Sequence, residues 1–368
     1  MNILHLSAVK NWGGGEKHLE NLCRELAILN PSITNKLICN DKADYYRLST
    51  IEQLEIIPAP LGFKLDPRYI LRLIKTCKKH HIDLIHIHDS SALAIAVTAN
   101  HLAELPPFIF SKKTSFPIRL KRLTLYKYNY YKIKRVLCVS ETTKCIASKN
   151  VENSNILTCI YHGTSLKDKS GTTPFKLRKH LKLNNETVIV GNIAHHIWPK
   201  DLETFINVAN ELIHVQKKDM HFVQIGAFTA ETPSLLNLIK KNKLESHISF
   251  LGSMENASNF IPQFDISVMT SKSEGVPQFI YESFYHGVPV ISTNVGGIPE
   301  VITHRVNGLL APAGDCRELA KHVLSLANNR QWREEFTVLS YKKLTKNFTS
   351  TLMAEKTYSE YKKVLNER

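Results

Sequence analysis

Short apolar segments alternate with helical segments along the whole chain, and this alternation restarts near the middle. Segments 2–7 and 84–88 have the length and composition of buried strands, and 67–80 has the periodicity of a helix. Such alternation predicts parallel sheets covered by helices, because parallel strands need a long crossover connection. The second series begins at residue 187, after the polar segment 163–175, which we interpret as a linker.

The composition is that of a globular protein with two domains. The chain has 368 residues, of which 43% are hydrophobic and 22% are charged. Its seven cysteines are scattered without a C-x-x-C pair, which is typical of thiols in a reducing compartment. The chain opens on a predicted strand and has no apolar run of the ~20 residues that a membrane helix needs. We therefore expect an α/β protein of the cytoplasm.

The positive charge is concentrated in the first half of the chain. The net charge is +15, and residues 1–170 carry 25 Lys and Arg against 14 Asp and Glu. Segment 112–135 holds nine basic residues, no acidic residue and five interleaved aromatic residues. This pattern suits an anionic membrane surface or a nucleic acid, and a plain solvated face is the third interpretation. The residues expected at a membrane surface are Arg119, Lys121, Arg122, Lys127 and Lys132.

Two carboxylates flank a predicted helix start in segment 273–283, at Glu274 and Glu282. Pro277 suits the first helical position, where the missing N–H costs nothing. The free N–H groups of this helix end form a site for phosphate, and the two carboxylates can bind sugar hydroxyls on either side of it.

This segment, followed by Gly-Val-Pro-Val at 287–290 and Gly-Gly-Ile-Pro-Glu at 296–300, resembles the E-x7-E region of retaining glycosyltransferases with the GT-B fold. The resemblance is closest to glycosyltransferase family 4. It implies two doubly wound, Rossmann-like domains that face an interdomain cleft. The acceptor domain would comprise 1–165, with a last helix at about 351–368 packing back on it, and the donor domain would comprise 166–350.

The resemblance also implies the reaction. A hexose or related sugar would pass with retention from a nucleotide-diphosphate sugar to a hydroxyl, and a UDP-sugar is favoured over a GDP-sugar. The acceptor would be a lipid-linked glycan, a lipopolysaccharide or a glycolipid at the inner face of a bacterial membrane. Glu282 would bind the ribose, and the residues expected to take part in catalysis are Glu274, His88 and Lys200.

Three further motifs supply candidate residues. The loop Gly13–Gly15 lets backbone N–H groups approach a phosphate or sugar, and with Glu16 it resembles the family's Gly-Gly-x-Glu element. His86 and His88 share one face of a strand, so a metal pair is conceivable, although a core or strand-end histidine is favoured. Lys112 and Lys113 stand where the family often has a second histidine.

Lys200 matches the lysine of the family's diphosphate clamp, whereas Asn192 stands where the clamp's arginine would be. One cation is therefore missing, and a lysine from 112–113 can replace it. The expected acceptor-binding residues are Glu16, Lys112 and Lys113. The expected donor-binding residues are Gly14, Gly15, Asn192, Lys200, Glu274, Gly275, Val276, Gln278, Phe279, Ile280 and Glu282.

The sequence contains no D-x-D, the acidic pair with which other glycosyltransferases hold a divalent ion. We therefore expect a mechanism without a metal or other cofactor. Two alternatives stay open. A GT-B-like epimerase would turn over a nucleotide sugar without an acceptor, and a nucleic-acid-binding protein on a Rossmann scaffold would bind DNA in a salt-sensitive way without affinity for nucleotide sugars.

Overall fold

The computed structural model describes residues 1–10, 13–43, 51, 54–166 and 172–367. They form two compact units, of which the first comprises Met1–Ser165 with Phe348–Arg368 and the second comprises Leu166–Asn347. Each unit has one parallel sheet of its own with helices packed on it, so the predicted α/β class is confirmed.

The first unit contains seven parallel strands in the order β3-β2-β1-β4-β5-β6-β7. These strands are β1 (Asn2–Leu6), β2 (Thr34–Asn40), β3 (Leu54–Ala59), β4 (Leu84–Ile87), β5 (Phe108–Lys112), β6 (Ile133–Cys138) and β7 (Leu157–Cys159). Its helices are α1 (Gly14–Leu29), α2 (Pro67–Lys79), α3 (Ser90–Leu102), α4 (Arg122–Tyr128), α5 (Glu141–Ser148) and α13 (Ser350–Asn366).

Short polar side chains cap four of these helices, and Thr349 caps α13 by accepting a hydrogen bond from the amide of Leu352. Asp66 accepts a hydrogen bond from the amide of Arg68, with Pro67 as the first residue of α2. Asp89 accepts from two amides at the start of α3, and Ser140 accepts from the amide of Thr143 in α5. Such caps satisfy amides that have no partner inside the helix. The strand-to-helix turns at 88–90 and 139–141 are thereby fixed at the carboxyl ends of β4 and β6.

Helix α13 lies far along the chain and yet completes the core of the first unit. It packs on α1, and its Met353 and Tyr361 are buried in a cluster with Leu22 and Leu26. The hydroxyl of Ser350 donates to Glu25 at 2.6 Å. Just before α13, residue 349 forms a β-bridge with residue 164. The chain therefore enters the second unit at 165–166 and leaves it at 347–348.

The second unit contains six parallel strands in the order β10-β9-β8-β11-β12-β13. They are β8 (Val188–Ile193), β9 (Met220–Ile225), β10 (Ile248–Phe250), β11 (Ile266–Met269), β12 (Val290–Thr293) and β13 (Leu309–Ala311). The helices are α6 (Leu177–His180), α7 (Leu202–Asn210), α8 (Thr232–Lys241), α9 (Gln278–Tyr285), α10 (Ile298–Val301), α11 (Cys316–Asn328) and α12 (Arg330–Asn347).

The structure adds elements to the sequence-based expectations. Strands β3, β7 and β13 were not predicted. Helix α7 ends at Asn210 and continues as a π-helical turn over Glu211–Val215. Part of the predicted linker, 167–171, lies outside the described residues.

Gly191 in β8 provides a test of the packing of the second unit. A Cβ atom at this position would lie 2.0 Å from the ring of Phe264, which is buried. We expect Gly191→Ala to lower the free energy of unfolding by about 1–3 kcal/mol, the usual cost of overpacking. Combination with Phe264→Leu should cost less than the sum of the single changes, as measured by urea denaturation. A Gly191→Ala protein with the wild-type midpoint would contradict this packing.

Candidate active site

In the second unit, a lysine and a glutamate from distant segments form an ion pair beyond the carboxyl ends of the strands. Lys200 follows β8, and Glu274 follows β11. The Lys200 Nζ lies 2.6 Å from Glu274 Oε1, which also accepts a hydrogen bond from the hydroxyl of Ser271 at 2.7 Å. The pair is only partly exposed, so both charges are held in fixed positions. The sequence indicated Lys200 and Glu274 but missed Ser271, which stands three residues before the glutamate.

Two glycines hold the backbone of this glutamate in place. Gly296 has a φ of +55°, and a Cβ atom there would lie 1.7 Å from the carbonyl oxygen of Glu274. The Gly297 amide donates to the Gly275 carbonyl at 2.8 Å. Glycine is therefore required at Gly296 by close backbone contact and by a left-handed conformation that glycine adopts without strain.

Helix α9 begins directly after this loop. Pro277 precedes the helix as its cap residue, one position earlier than expected from the sequence. The side chains of Val276, Phe279 and Ile280 are buried, so these residues can offer only backbone groups to a ligand. The Ile280 amide donates to the Pro277 carbonyl at 3.2 Å, which corrects the expectation that it is free for a phosphate. Gly275 and Gln278 are buried as well.

Glu282 lies on α9, one turn beyond its start, and is partly exposed. Asn192, in contrast, is buried, and its Nδ2 donates to the carbonyl of Val268 at 2.8 Å. This bond joins β8 to β11, so Asn192 has a structural partner where a ligand contact was expected. A second ion pair, Lys272 with Asp201 at 3.0 Å, lies beside Lys200 in the chain and was not predicted.

In the first unit, five histidines cluster near the carboxyl ends of the strands. His5 on β1 pairs with His86 on β4, and His88 directly follows β4. His18 on α1 stacks on His162, with ring centroids 4.2 Å apart, and the His18 and His88 centroids are 6.4 Å apart. The sequence pointed to His86 and His88 but not to the other three, because these come from separate segments that only the fold brings together.

Burial keeps all five imidazoles neutral near pH 7. It lowers the pKa of His5 to about 4 and that of His162 to about 3. It also lowers the pKa values of His18, His86 and His88 well below the usual value. The positive charge of Lys113 adds to this lowering at each of the five rings.

Hydrogen bonds determine where the proton of His88 lies. The His5 Nε2 lies 3.1 Å from the side-chain oxygen of Asn35, which can only accept, so this nitrogen carries the proton of neutral His5. The His5 Nδ1 then accepts from His88 Nε2 at 2.9 Å. The His88 Nδ1 is left as a buried acceptor without a partner among the described residues.

Among the described residues, one group of three side chains could offer nitrogen atoms to a metal ion, namely His5, His86 and His88, whose ligand atoms lie within 4.8 Å of one another. His86, however, is bonded through one nitrogen to Tyr361 at 2.6 Å and through the other to Ser111 at 2.8 Å. Since the ammonium of Lys113 also opposes a second positive charge nearby, the chemistry of this group favours a hydrogen-bonded network over a divalent cation.

The two adjacent lysines that follow β5 have different surroundings. The Lys112 Nζ is buried and donates to the carbonyls of Thr114 and Phe116, so it stabilises its own loop. The Lys113 Nζ donates to the carbonyl of Gly15 at 3.0 Å, next to Glu16. Burial lowers the pKa of each lysine to about 8. Burial also raises the pKa of Glu16. Of the two lysines, only Lys113 joins the glycine loop and the histidines.

The basic segment 112–135 does not form one open face, which corrects the expectation from composition. Lys132 is only slightly exposed, pairs with Glu104 and donates to the Leu105 carbonyl. Lys127 is half-buried and donates to the carbonyl of Ser90, and Tyr128 and Tyr130 are in the core. An uninterrupted exposed stretch comprises Arg119, Leu120, Lys121, Arg122 and Leu123, here named the 119–123 ridge.

Comparison with known proteins identifies the class. Glycosyltransferase Family 4 matches residues 12–168, and the family of Glycosyl transferases group 1 matches residues 184–329. These matches cover most of the chain, and the chain belongs to the family 4-like glycosyltransferases with the GT-B fold.

Individual relatives show the same class. The chain is 29% identical to the N-acetyl-alpha-D-glucosaminyl L-malate synthase of Bacillus anthracis, over 87% of this chain and 83% of that protein. It is 22% identical to the capsular polysaccharide biosynthesis glycosyltransferase CapM of Staphylococcus aureus, over 86% of both chains. The crystal structure of Anabaena Alr3699/HepE in complex with UDP-glucose superposes with a TM-score of 0.85, at 18% identity, and covers all of both chains.

Gly296→Ala tests the loop that holds Glu274. The added Cβ must displace the Glu274 carbonyl, and we expect glycosyl transfer to fall by about 10²-fold, the usual result of shifting a reacting group by ~1 Å. Gly314→Ala is the matched control, because Gly314 also has a positive φ but no atom lies within 4 Å of its Cβ position. Activity and unfolding are measured for both variants. Equal activity in the two would contradict the role of this contact.

Proposed function

We propose that the protein transfers a hexose or related sugar, with retention, from a nucleotide-diphosphate sugar to a hydroxyl. The observation that carries this proposal is the Lys200–Glu274 pair beside the start of α9, which bears Glu282. A cation, a helix N-terminus and two carboxylates together match a diphosphate flanked by two sugars. The HepE complex with UDP-glucose supports a UDP-sugar as donor.

Each group has a distinct role in this proposal. Glu282 accepts hydrogen bonds from the ribose hydroxyls, and Glu274 accepts one from the donor sugar and favours positive charge at its anomeric carbon. Lys200 and the amide of Phe279 stabilise the departing diphosphate. In the reaction, the bond from the anomeric carbon to the diphosphate oxygen breaks and a bond to the acceptor oxygen forms. The acceptor hydroxyl loses its proton, and the nucleoside diphosphate leaves.

We propose that this transfer needs no metal ion. The ammonium of Lys200 and the positive end of α9 supply the charge that a divalent ion would otherwise place on the diphosphate. In the first unit, we propose that the loop with Gly14 and Gly15 contacts the donor sugar. His88 then accepts a hydrogen bond from the reacting hydroxyl through its free Nδ1, and Glu16 and Lys113 contact the acceptor.

We propose that the acceptor is a lipid-linked or glycolipid glycan at the inner face of a bacterial membrane. No helix in the described part of the chain has the length and apolarity required to span a membrane. The 119–123 ridge, however, exposes 78% of Leu120 and 82% of Leu123 between three cations. Apolar side chains flanked by Lys and Arg suit the boundary between headgroups and acyl chains. The name of CapM, a capsular polysaccharide biosynthesis glycosyltransferase, agrees with a glycan acceptor.

A second loop belongs to this surface. Phe63 is 63% exposed and Leu65 is exposed as well, with Lys64 between them. Burial and the charge of Lys64 both lower the pKa of Lys127, which places this loop beside α4. Two adjacent elements therefore present apolar side chains among cations, as a docking surface on anionic lipid requires.

A small hydroxy acid is the second candidate acceptor. The relative from Bacillus anthracis carries L-malate in its name, and the match spans most of both chains. Lys113 provides a cation in the first unit that suits a carboxylate. The membrane experiment below separates a lipid-borne acceptor from a soluble one.

Glu282→Ala and Glu274→Gln test the donor site. Loss of Glu282 should weaken UDP binding by about 1.5–3 kcal/mol, the value of charged hydrogen bonds, as measured by calorimetry.

Glu274→Gln should keep the fold and lower kcat by about 10²-fold or more. Assays are run with and without EDTA, and loss of activity that Mn²⁺ restores would refute the metal-free mechanism. Unchanged UDP affinity in Glu282→Ala would place this residue outside the site, and turnover of nucleotide sugar without acceptor would indicate an epimerase.

Charge reversal of Arg119, Lys121 and Arg122 to Glu tests the membrane surface. Each cation near anionic lipid contributes about 1 kcal/mol, so the triple variant should no longer sediment with phosphatidylglycerol vesicles at low salt. Lys134→Glu is the control, because Lys134 is exposed but lies outside the ridge. Activity on a water-soluble acceptor should persist in the triple variant. Wild-type protein that stays in the supernatant at low salt would indicate a soluble acceptor.

A further inference from the structure

Lys113 is a partly buried cation with most of its hydrogen-bonding capacity unused. Its ammonium has three protons, and the hydrogen bond found for it goes to the carbonyl of Gly15 at 3.0 Å. No acidic side chain of the described residues lies within ion-pair distance of Lys113, although Glu16 and Asp89 are near enough to affect its pKa. A cation enclosed in this way is stabilised when an anion binds to it.

The rings around Lys113 point to the same class of ligand. His18, His88 and His162 are each at least nine-tenths buried, and each has one ring nitrogen without a hydrogen-bond partner among the described residues. Burial and the charge of Lys113 both lower the pKa of all three rings. His18 stacks on His162 with ring centroids 4.2 Å apart and lies 6.4 Å from His88, so the three rings form one group. An anion beside Lys113 can accept hydrogen bonds from the unpartnered nitrogens of His18 and His162 in their N–H tautomers, and a hydroxyl of the same ligand can donate to the acceptor Nδ1 of His88.

The glycine loop at the start of α1 adds further positive charge beside Lys113. Helix α1 starts at Gly14, and its cap residue Gly13 has no side chain that could accept hydrogen bonds from the first amides. The N-terminus of this 16-residue helix carries a partial positive charge, and Lys113 reaches it through the Gly15 carbonyl.

We propose that Lys113, the start of α1 and the neighbouring imidazoles form an anion subsite for the acceptor, which carries a carboxylate or phosphate close to the hydroxyl that receives the sugar. This inference rests on the proposed transferase function. The acceptor is then an anion that also carries a hydroxyl group. The same chemistry occurs in a soluble hydroxy acid and in a lipid-borne phosphate. Lys113 binds the anion in this proposal, whereas Lys112 is occupied by hydrogen bonds to its own loop.

The binding experiment uses inorganic phosphate as the probe. Saturating UDP is present, so that the diphosphate site of the second unit is filled. At pH 7 we expect Lys113→Gln to weaken phosphate binding at least tenfold by calorimetry, with UDP affinity unchanged within twofold. Lys112→Gln, the matched control, should lower the melting temperature but keep phosphate binding. Equal phosphate affinity in wild type and Lys113→Gln would overturn the subsite. Failure of the wild type to bind UDP would instead refute the proposed function.

The pH dependence provides a second readout. Because the pKa of Lys113 is about 8, wild type should lose phosphate binding between pH 7 and pH 9. Lys113→Arg should still bind phosphate at pH 9, since a guanidinium stays protonated there. A Lys113→Arg protein that loses binding over the same pH range as wild type would contradict the assignment.

The source of the anion is determined with the same pair of proteins. L-malate and phosphatidic acid vesicles are each tested for competition with phosphate in wild type and in Lys113→Gln. Competition by malate in wild type assigns a soluble hydroxy acid, and competition by the vesicles assigns a lipid-borne phosphate. Competition by neither, under conditions where phosphate binds, would overturn the proposal that the subsite serves the acceptor.

Discussion

Parallel pairing of strands is the constraint on which both units depend. When all strands of a sheet run in one direction, their carboxyl ends and the loops that follow them lie at the same edge. In the first unit this constraint sets His5 opposite His86 and brings the loop after β1 close to the residue after β5. In the second unit it brings the turn after β8 to the loop after β11. The order of the parallel strands is therefore enough to bring together residues that are far apart in the chain.

The two edges hold charge in different ways. In the second unit the positive charge of Lys200 is already paired with Glu274, so the site has little net charge before a ligand binds. In the first unit, burial and the charge of Lys113 keep five imidazoles neutral. Lys200 is therefore already bound to a carboxylate, whereas Lys113 has no acidic side chain of the described residues within ion-pair distance.

The sequence predicted the elements that depend on local pattern. The strands predicted at 2–7 and 84–88 lie at Asn2–Leu6 and Leu84–Ile87, because each is a short apolar run with the composition of a buried strand. The E-x7-E spacing located the loop and helix of Glu274 and Glu282, since both residues belong to one short segment. Strand β13 was missed because three residues are too few to show a period.

The direction of individual side chains could not be read from the sequence. Lys112 and Lys113 are the same residue type at adjacent positions, so the sequence does not distinguish them. Consecutive side chains at a strand end point to opposite sides, and Lys112 therefore enters its own loop whereas Lys113 contacts α1. The nine cations of 112–135 come from two strands, a helix and the loops between them, and they therefore do not share a face. Asn192 was interpreted through its place in a motif, while its burial against Val268 depends on the neighbouring strand.

Helix α13 has a consequence for how the protein folds during synthesis. The apolar faces of Leu22 and Leu26 are covered by α13, which the ribosome makes only after the whole second unit. The second unit is continuous in sequence and can complete its core first, whereas the first unit has to wait with part of its core exposed to water. The first unit is therefore synthesised first but completes its core last.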